Sequence, residues 1–118
     1  MRSILYFIVD DRGKLSAHHF SINRQGFVLK EIPIHEPVKI LDRRDDPDEY
    51  NAGSITIRVS RPQEGYLPVQ QETLVNLLVK LRRAFPEAMI FGLSEIGGSR
   101  IKVSKRMNQL RLEMSDRY

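Results

Sequence analysis

The candidate metal ligands in the first third of the sequence are one carboxylate and three imidazoles: Asp10, His18, His19 and His35. A catalytic zinc ion needs three protein ligands and an open position for water. Because adjacent residues of a strand point to opposite faces, His18 and His19 are not expected to bind one ion. We therefore predict that His19 packs in the core beside Phe20, that His18 lies in a groove, and that the chain binds no metal ion or other cofactor. A relocated metal site formed by all four side chains is the alternative.

Other groups give weaker chemical signals. The backbone amides of Gly97-Gly98-Ser99-Arg100 could bind an anion, but a plain turn is the simpler interpretation. The serines lack the glycines of a nucleophile elbow, and the sequence places no base beside any of them. The residues alone therefore predict no catalytic group.

Alternating and helical patterns of apolar residues predict the elements that position these groups. Strands are predicted at residues 4–9, 17–22, 27–31, 54–60 and 88–91, and the alternation within 54–60 indicates a strand with one buried face. Helical spacing predicts one helix over 69–85 and a last amphipathic helix that carries Val103, Met107, Leu110 and Met114. The order β-β-β-β-α-β-α predicts an α/β fold, a mixed central β-sheet flanked by helices, in a single domain over residues 1–118.

Composition narrows the functional classes. The chain has 118 residues, 41% of them hydrophobic, and no cysteine, so it can build one core without disulfides or thiolate ligands. The net charge of +4 arises from a basic C-terminal tail, which we interpret as a solvated helix face, so nucleic acid is not an expected partner. No stretch approaches the roughly 20 apolar residues of a membrane span, and we expect a cytoplasmic protein that contacts no membrane.

Taken in order, several segments resemble the N-acetylmuramoyl-L-alanine amidase family, which includes small phage lysozyme-amidases and peptidoglycan recognition proteins. The first strand is followed by His18-His19-Phe20, which is similar to the family's Tyr-His-Phe strand, and by Arg24-Gln25-Gly26 in a hairpin. Tyr50-Asn51-Ala52-Gly53-Ser54-Ile55 is similar to a further family strand. Leu67-Pro68-Val69-Gln70 matches the start of the family's long helix, and Gly92-Leu93 stands where the family has Gly-His.

The resemblance implies an amidase fold without the zinc ligands. The three positions at which the family binds zinc correspond to Asp10, Leu93 and Ile101, of which only Asp10 has a donor atom. The family's tyrosine near the zinc-bound water is replaced by His18, and Ser99 stands in place of the family's catalytic lysine. The family's first helix has no counterpart between Asp11 and Ser16, so we expect its loss to uncover one flank of the sheet and to expose Leu93.

The resemblance predicts a degenerate amidase, a pseudoenzyme of a phage or mobile element that binds peptidoglycan fragments without hydrolysing them. The expected ligand-binding residues are His18, Arg24, Asn51, Ser94 and Glu95. The alternative is an interaction or regulatory protein that reuses the amidase scaffold and binds a protein partner or a second copy of itself. An active peptidoglycan amidase is the third hypothesis.

Overall fold

The computed structural model describes residues 3–10, 15–38, 52–60, 66–96 and 105–116. Within these ranges five strands form one mixed sheet in the order β3-β2-β4-β1-β5. Four strands run parallel, and β3 pairs antiparallel with β2 at one edge. The strands are β1 (Tyr6–Asp10), β2 (Phe20–Ile22), β3 (Val28–Lys30), β4 (Ser54–Val59) and β5 (Met89–Gly92). The predicted α/β fold with a mixed central sheet is therefore confirmed.

Two helices pack on one face of the sheet, which we call the helical face. Helix α1 spans Pro68–Ala84 and α2 spans Lys105–Asp116, with a short 3-10 turn at Leu93–Glu95 after β5. Proline at the first helical position of α1 loses no hydrogen bond there, because that N–H has no partner within a helix. The helix ends before Pro86, which cannot continue the backbone ladder.

The main core lies between the helices and the helical face of the sheet. The helical spacing in α1 brings Leu74, Leu78 and Leu81 onto one stripe, and all three are buried. They share a cluster with the alternate strand residues Phe7, Val9, Ile22, Ile55 and Ile57 and with Met107, Leu110 and Met114 of α2. The predicted packing of both helices on the sheet is confirmed.

The opposite face of the sheet is also buried at β1 and over most of β4, and the sequence analysis did not predict this for β4. Ser54 and Thr56 of β4 are fully buried although they alternate with the core residues, so the expectation of one buried face is wrong for this strand. Tyr6 and Ile8 of β1 form a second, smaller cluster there with Leu15, Phe91, Leu93 and Ile96. The expected uncovered flank is therefore covered at Tyr6 and Ile8.

The connection from β1 to β2 explains part of this cover. Residues 15–19 form no helix, and residues 11–14 lie outside the described ranges. Leu15 packs on the second cluster, so an irregular segment covers part of this face. In the described ranges neither helix has both the length and the apolar character that a membrane span requires.

Candidate functional site

The carboxyl ends of four parallel strands meet at one edge of the sheet, which we call the carboxyl edge. In open α/β sheets ligands bind at this edge, because the loops that leave the strands there surround a crevice. The register places Asp10 beside Arg58, and Arg58 beside Ser21, across β1, β4 and β2. Leu93 follows Gly92, the register partner of Val9, and begins the 3-10 turn at this edge.

A buried pair of polar side chains lies at the end of β1. Nε2 of His18 is 2.9 Å from Oδ2 of Asp10, and the backbone N–H of Leu15 donates to the same oxygen at 3.0 Å. Asp10 and His18 are 1% and 2% exposed. The carboxylate accepts both hydrogen bonds, so the proton of the imidazole is assigned to Nε2. The pair lies at the end of β1. His18 was expected in a groove, but its side chain is almost completely buried.

The loop after β5 is held by a second polar cluster. The carboxylate of Glu95 accepts a hydrogen bond from the backbone N–H of Gly92 at 2.9 Å, and its two oxygens accept from Arg111 of α2, each at 2.8 Å. Arg111 also donates to the carbonyl of Ile90 at 2.9 Å. The hydrogen bond with Glu95 raises the pKa of Arg111, against the opposing effect of partial burial. Both oxygens of this predicted ligand-binding residue are thus engaged by the protein itself, while Ser94 beside it is half-buried.

The described residues at this edge do not supply the donor atoms of the zinc site that the resemblance implies. Oδ2 of Asp10 is engaged by two donors, and Leu93, which has no donor atom, packs half-buried on the second cluster. Among the described residues no group of three metal-binding side chains converges. Ile101 and Asn51, the remaining predicted positions, lie outside the described residues.

Both ring nitrogens of His19 form hydrogen bonds with backbone groups. The backbone N–H of Thr56 donates to Nδ1 of His19 at 3.0 Å, so the proton of this imidazole is assigned to Nε2, which donates to the carbonyl of Glu36 at 2.6 Å. His19 is fully buried, as expected for a core residue. The side chain of His35 is 68% exposed, with Nε2 4.0 Å from Glu36, so His35 does not join His18 and Asp10.

Arg24 lies at the tip of the hairpin between β2 and β3. Asn23 shapes this turn through its side-chain oxygen, which accepts hydrogen bonds from the N–H groups of Gln25 and Phe27. Gly26 has a φ of 84°, and a Cβ there would lie 2.7 Å from Val69 of α1, so both conformation and space require glycine. The turn follows the carboxyl end of β2, so the exposed Arg24 is on the same edge as Asp10, two strands away.

Sequence reasoning missed two residues of this edge. Arg58 is exposed although its register neighbours Asp10 and Ser21 are buried, and an arginine within an apolar strand is the signal that could have identified it. Gln70 is fully buried and joins three segments. Its Nε2 donates to the carbonyls of Asn23 and Ser60, and its Oε1 accepts from the N–H of Leu67.

Comparison with known proteins places the fold. No protein-family model matches the sequence, and no curated protein matches it. Solved structures do match. The endolysin N-acetylmuramoyl-L-alanine amidase LysCS from Clostridium intestinale URNW has a TM-score of 0.69 at 12% identity, over 96% of this chain and 85% of that one. The fold is similar to that of amidase endolysins.

Two further solved structures agree. The amidase LysC from Clostridium intestinale URNW matches with a TM-score of 0.67 at 12% identity, over 96% of this chain and 87% of that one. The Ph2119 endolysin from the Thermus scotoductus MAT2119 bacteriophage Ph2119 matches with a TM-score of 0.67 at 13% identity, over 97% of this chain and 86% of that one. The recognised likeness to amidases therefore holds for the fold.

Proposed function

We propose that this protein is an amidase-fold binding module that recognises peptidoglycan fragments at the carboxyl edge and does not hydrolyse them. The observation that carries the proposal is the state of Asp10 and Leu93. Asp10 is the one of the two residues with atoms that could bind a metal ion, and its Oδ2 accepts hydrogen bonds from His18 and from the backbone of Leu15. Leu93 is apolar and packs on the second cluster. Without a bound zinc ion the pKa of a water molecule is not lowered, and no hydroxide forms at neutral pH.

The first experiment tests the absence of zinc-dependent hydrolysis. The purified chain is incubated with zinc chloride, dialysed, and analysed for metal and for release of soluble fragments from purified cell walls. We expect less than one zinc ion per chain and no release above that of buffer. One tightly held zinc ion per chain with wall hydrolysis would establish an active amidase instead.

The second experiment tests recognition. We expect purified cell walls to capture the protein, and Arg24→Ala to weaken the capture because the exposed guanidinium lies on the carboxyl edge. Arg83→Ala is the matched control, since Arg83 is also exposed but lies in the last turn of α1, which leads into the start of β5 at the other end of the sheet. If walls do not retain the native protein, or if both variants lose the same affinity, recognition at the carboxyl edge is wrong.

A second candidate function is association with another copy of the chain, and the edge strand β3 favours it. The backbone N–H of Glu31 donates to the carbonyl of His19, and the N–H of Asn23 donates to the carbonyl of Phe27, so the backbone groups of residues 27 and 31 face β2. The backbone groups of Val28 and Lys30 between them therefore point away from the sheet. Phe27 and Leu29 are 67% and 52% exposed. Light scattering at increasing concentration tests this role: a dimer that Leu29→Lys abolishes supports it, and a monomer at all concentrations excludes it.

A further inference from the structure

The two edges of the sheet differ in how their outward backbone groups are bonded. The N–H of Met89 donates to the carbonyl just before β1, so the backbone groups of Ile90 and Gly92 face away from the sheet. The carbonyl of Ile90 accepts from Arg111, and the N–H of Gly92 donates to Glu95, each at 2.9 Å. Two side chains therefore occupy the β5 edge and hinder the addition of another strand there.

The edge at β3 lacks such a cap within the described part of the chain. The backbone groups of Val28 and Lys30 point outwards, and no described side chain forms a hydrogen bond with them. An open edge strand can pair with another extended segment, whose main-chain hydrogen bonds supply affinity. β3 is therefore the edge at which a further strand can add.

A pocket of about 510 Å³ adjoins the C-terminal end of this open strand. Its volume lies within the range of roughly 300–1,000 Å³ that is usual for ligand pockets. Phe20 and Lys30 line the pocket and are register partners across β2 and β3, and Phe20 is part of the main core. The pocket therefore opens on the helical face of this strand pair. The other lining residues follow β3 directly: Glu31, Ile32, Pro33, Ile34 and His35.

The segment that forms the wall of the pocket is held from inside the protein. The fully buried His19 donates from Nε2 to the carbonyl of Glu36 at 2.6 Å, and its own carbonyl accepts from the N–H of Glu31 at 2.9 Å. The N–H of Glu36 donates to the carbonyl of Pro33 at 3.0 Å and closes a turn. The pocket is thus formed before a ligand arrives, which lowers the ordering cost of binding.

The charges along the open edge favour an acidic ligand. Arg24 lies at one end of the edge, in the hairpin tip, and Lys30 lies at the other end, and both are exposed. Neither takes part in an ion pair among the described residues. The nearest carboxylate, that of Glu31, accepts a hydrogen bond from Ser21 at 3.1 Å. Complementary charge on a ligand would increase both its specificity and its rate of association.

A second copy of the chain would use this edge without filling the pocket. Antiparallel pairing of Val28 with Lys30 of the other copy uses the outward groups of both residues. That register places Gly26 of the other copy opposite Ile32, and glycine has no side chain to enter the pocket. It also brings together two edges with the same excess of positive charge. The pocket and the charges therefore favour a segment of a different protein.

We propose that the β3 edge and its pocket bind an extended acidic segment of another protein. The segment pairs antiparallel with β3, places an acidic residue opposite Lys30, and inserts a large apolar side chain opposite Ile32 into the pocket. This site is separate from wall recognition. Because β3 runs antiparallel to β2, its C-terminal end and the pocket lie at the end of the sheet away from the carboxyl edge.

The probe is the fluorescein-labelled peptide Glu-Thr-Phe-Thr-Glu-Thr-Val-Glu, whose phenylalanine and central glutamate match positions 32 and 30 in this register. Fluorescence anisotropy gives its affinity, beside peptides with leucine, tryptophan or alanine in place of phenylalanine. We expect the alanine peptide to bind roughly 10- to 100-fold more weakly than the phenylalanine peptide, the range for burial of a large apolar side chain. Peptide binding should also slow hydrogen exchange of the amides of Val28 and Lys30.

Variants test the edge, the pocket and the charge separately. Val28→Pro removes an outward N–H that forms no bond within the sheet, and it should weaken binding at least several-fold. Ile34→Glu places an acid in the pocket and should abolish binding. Lys30→Glu should weaken the native probe, and a peptide with lysine in place of the central glutamate should recover affinity for that variant. Leu112→Glu, an equally exposed change on α2, is the control and should change nothing. The amide spectrum of each variant is checked first for the native fold.

Four results would overturn the inference. These are no binding of the phenylalanine, leucine and tryptophan peptides at millimolar concentration, equal affinity of the phenylalanine and alanine peptides, equal affinity of the native protein and Val28→Pro, and a dimer at β3 that excludes the probe. The last result would assign the edge to a second copy. Capture by cell walls in the presence of saturating probe tests the proposed function independently, since the two sites lie at opposite ends of the sheet.

Discussion

Gln70 offers the sharpest test of how the carboxyl edge is assembled. The variant Gln70→Glu keeps the shape of the side chain and its contact with the N–H of Leu67, but it replaces the two N–H donors by a carboxylate oxygen. The carbonyls of Asn23 and Ser60 would then face an acceptor. The hairpin turn, the end of β4 and the start of α1 would lose the bonds that hold them together.

The magnitude follows from the two carbonyls. An unsatisfied buried polar group costs about 1–3 kcal/mol, and both carbonyls belong to half-buried residues, so we expect a loss of roughly 2–4 kcal/mol in the free energy of unfolding. A domain of this size has only about 5–15 kcal/mol in total. The loss corresponds to a decrease of roughly 8–16 °C in melting temperature.

The assay is urea unfolding followed by circular dichroism, with Gln71→Glu as the matched control. Gln71 is the next residue, is half-buried, and makes the same change of charge in the first turn of α1, where a negative charge is mildly favourable. We expect the control to stay within about 0.5 kcal/mol of the native protein. If the two variants unfold at the same urea concentration, the three-segment contact of Gln70 is not formed.

Three further predictions concern the core and the polar clusters. Leu78→Ala should cost roughly 2–5 kcal/mol in urea unfolding because Leu78 is fully buried, whereas Leu112→Ala, 68% exposed, should cost less than about 0.5 kcal/mol; equal losses would mean that α1 does not face the sheet. Arg111→Met should cost about 1–2 kcal/mol, a value reduced by the 31% exposure of the side chain. Because the pKa of Arg111 is raised, the stability that its charge contributes is fully present below the ordinary arginine pKa and is lost only in strongly alkaline solution. The loss of stability in Arg111→Met should therefore be the same at pH 6 and at pH 9 as far as Arg111 determines it. A loss that disappears within this range would contradict a charged contact between Arg111 and Glu95. Long-range ¹⁵N resonance spectra should show His19 protonated at Nε2, and a proton at Nδ1 would exclude the bond from Thr56.

The fold was predictable because local patterns and the final packing agree. The apolar stripe with Leu74, Leu78 and Leu81 repeats at helical spacing, and tertiary structure keeps it as the core face of α1. The strand at 54–60 was also predicted, but the burial of Thr56 was not. Its cover comes from His19 and its neighbours, distant in sequence, and periodicity within one strand gives no information about a segment that packs on it from elsewhere.

The candidate site was less predictable, for a different reason. The sequence named Asp10 and His18 as possible ligands of one metal ion, but it did not predict their 2.9 Å contact with each other, which depends on the path of the β1–β2 connection. Glu95 was assigned to ligand binding from its position after the lost ligand, while its bonds to Arg111 require the docking of α2. Side-chain pairing across elements depends on the tertiary fold, which a residue pattern alone does not contain.

The order of strands in the sheet also governs how the chain can fold while it is being synthesised. Strand β1 is the second from one edge and is buried at every residue, yet its partners β4 and β5 begin only at Ser54 and Met89. A ribosome that releases the chain in order exposes an apolar strand long before either partner exists. Contacts between residues so far apart in sequence form slowly, and unpaired apolar strands aggregate. Nascent β1 therefore depends on late completion of the sheet, and we expect chains that end before β5 to be retained by chaperones rather than to fold.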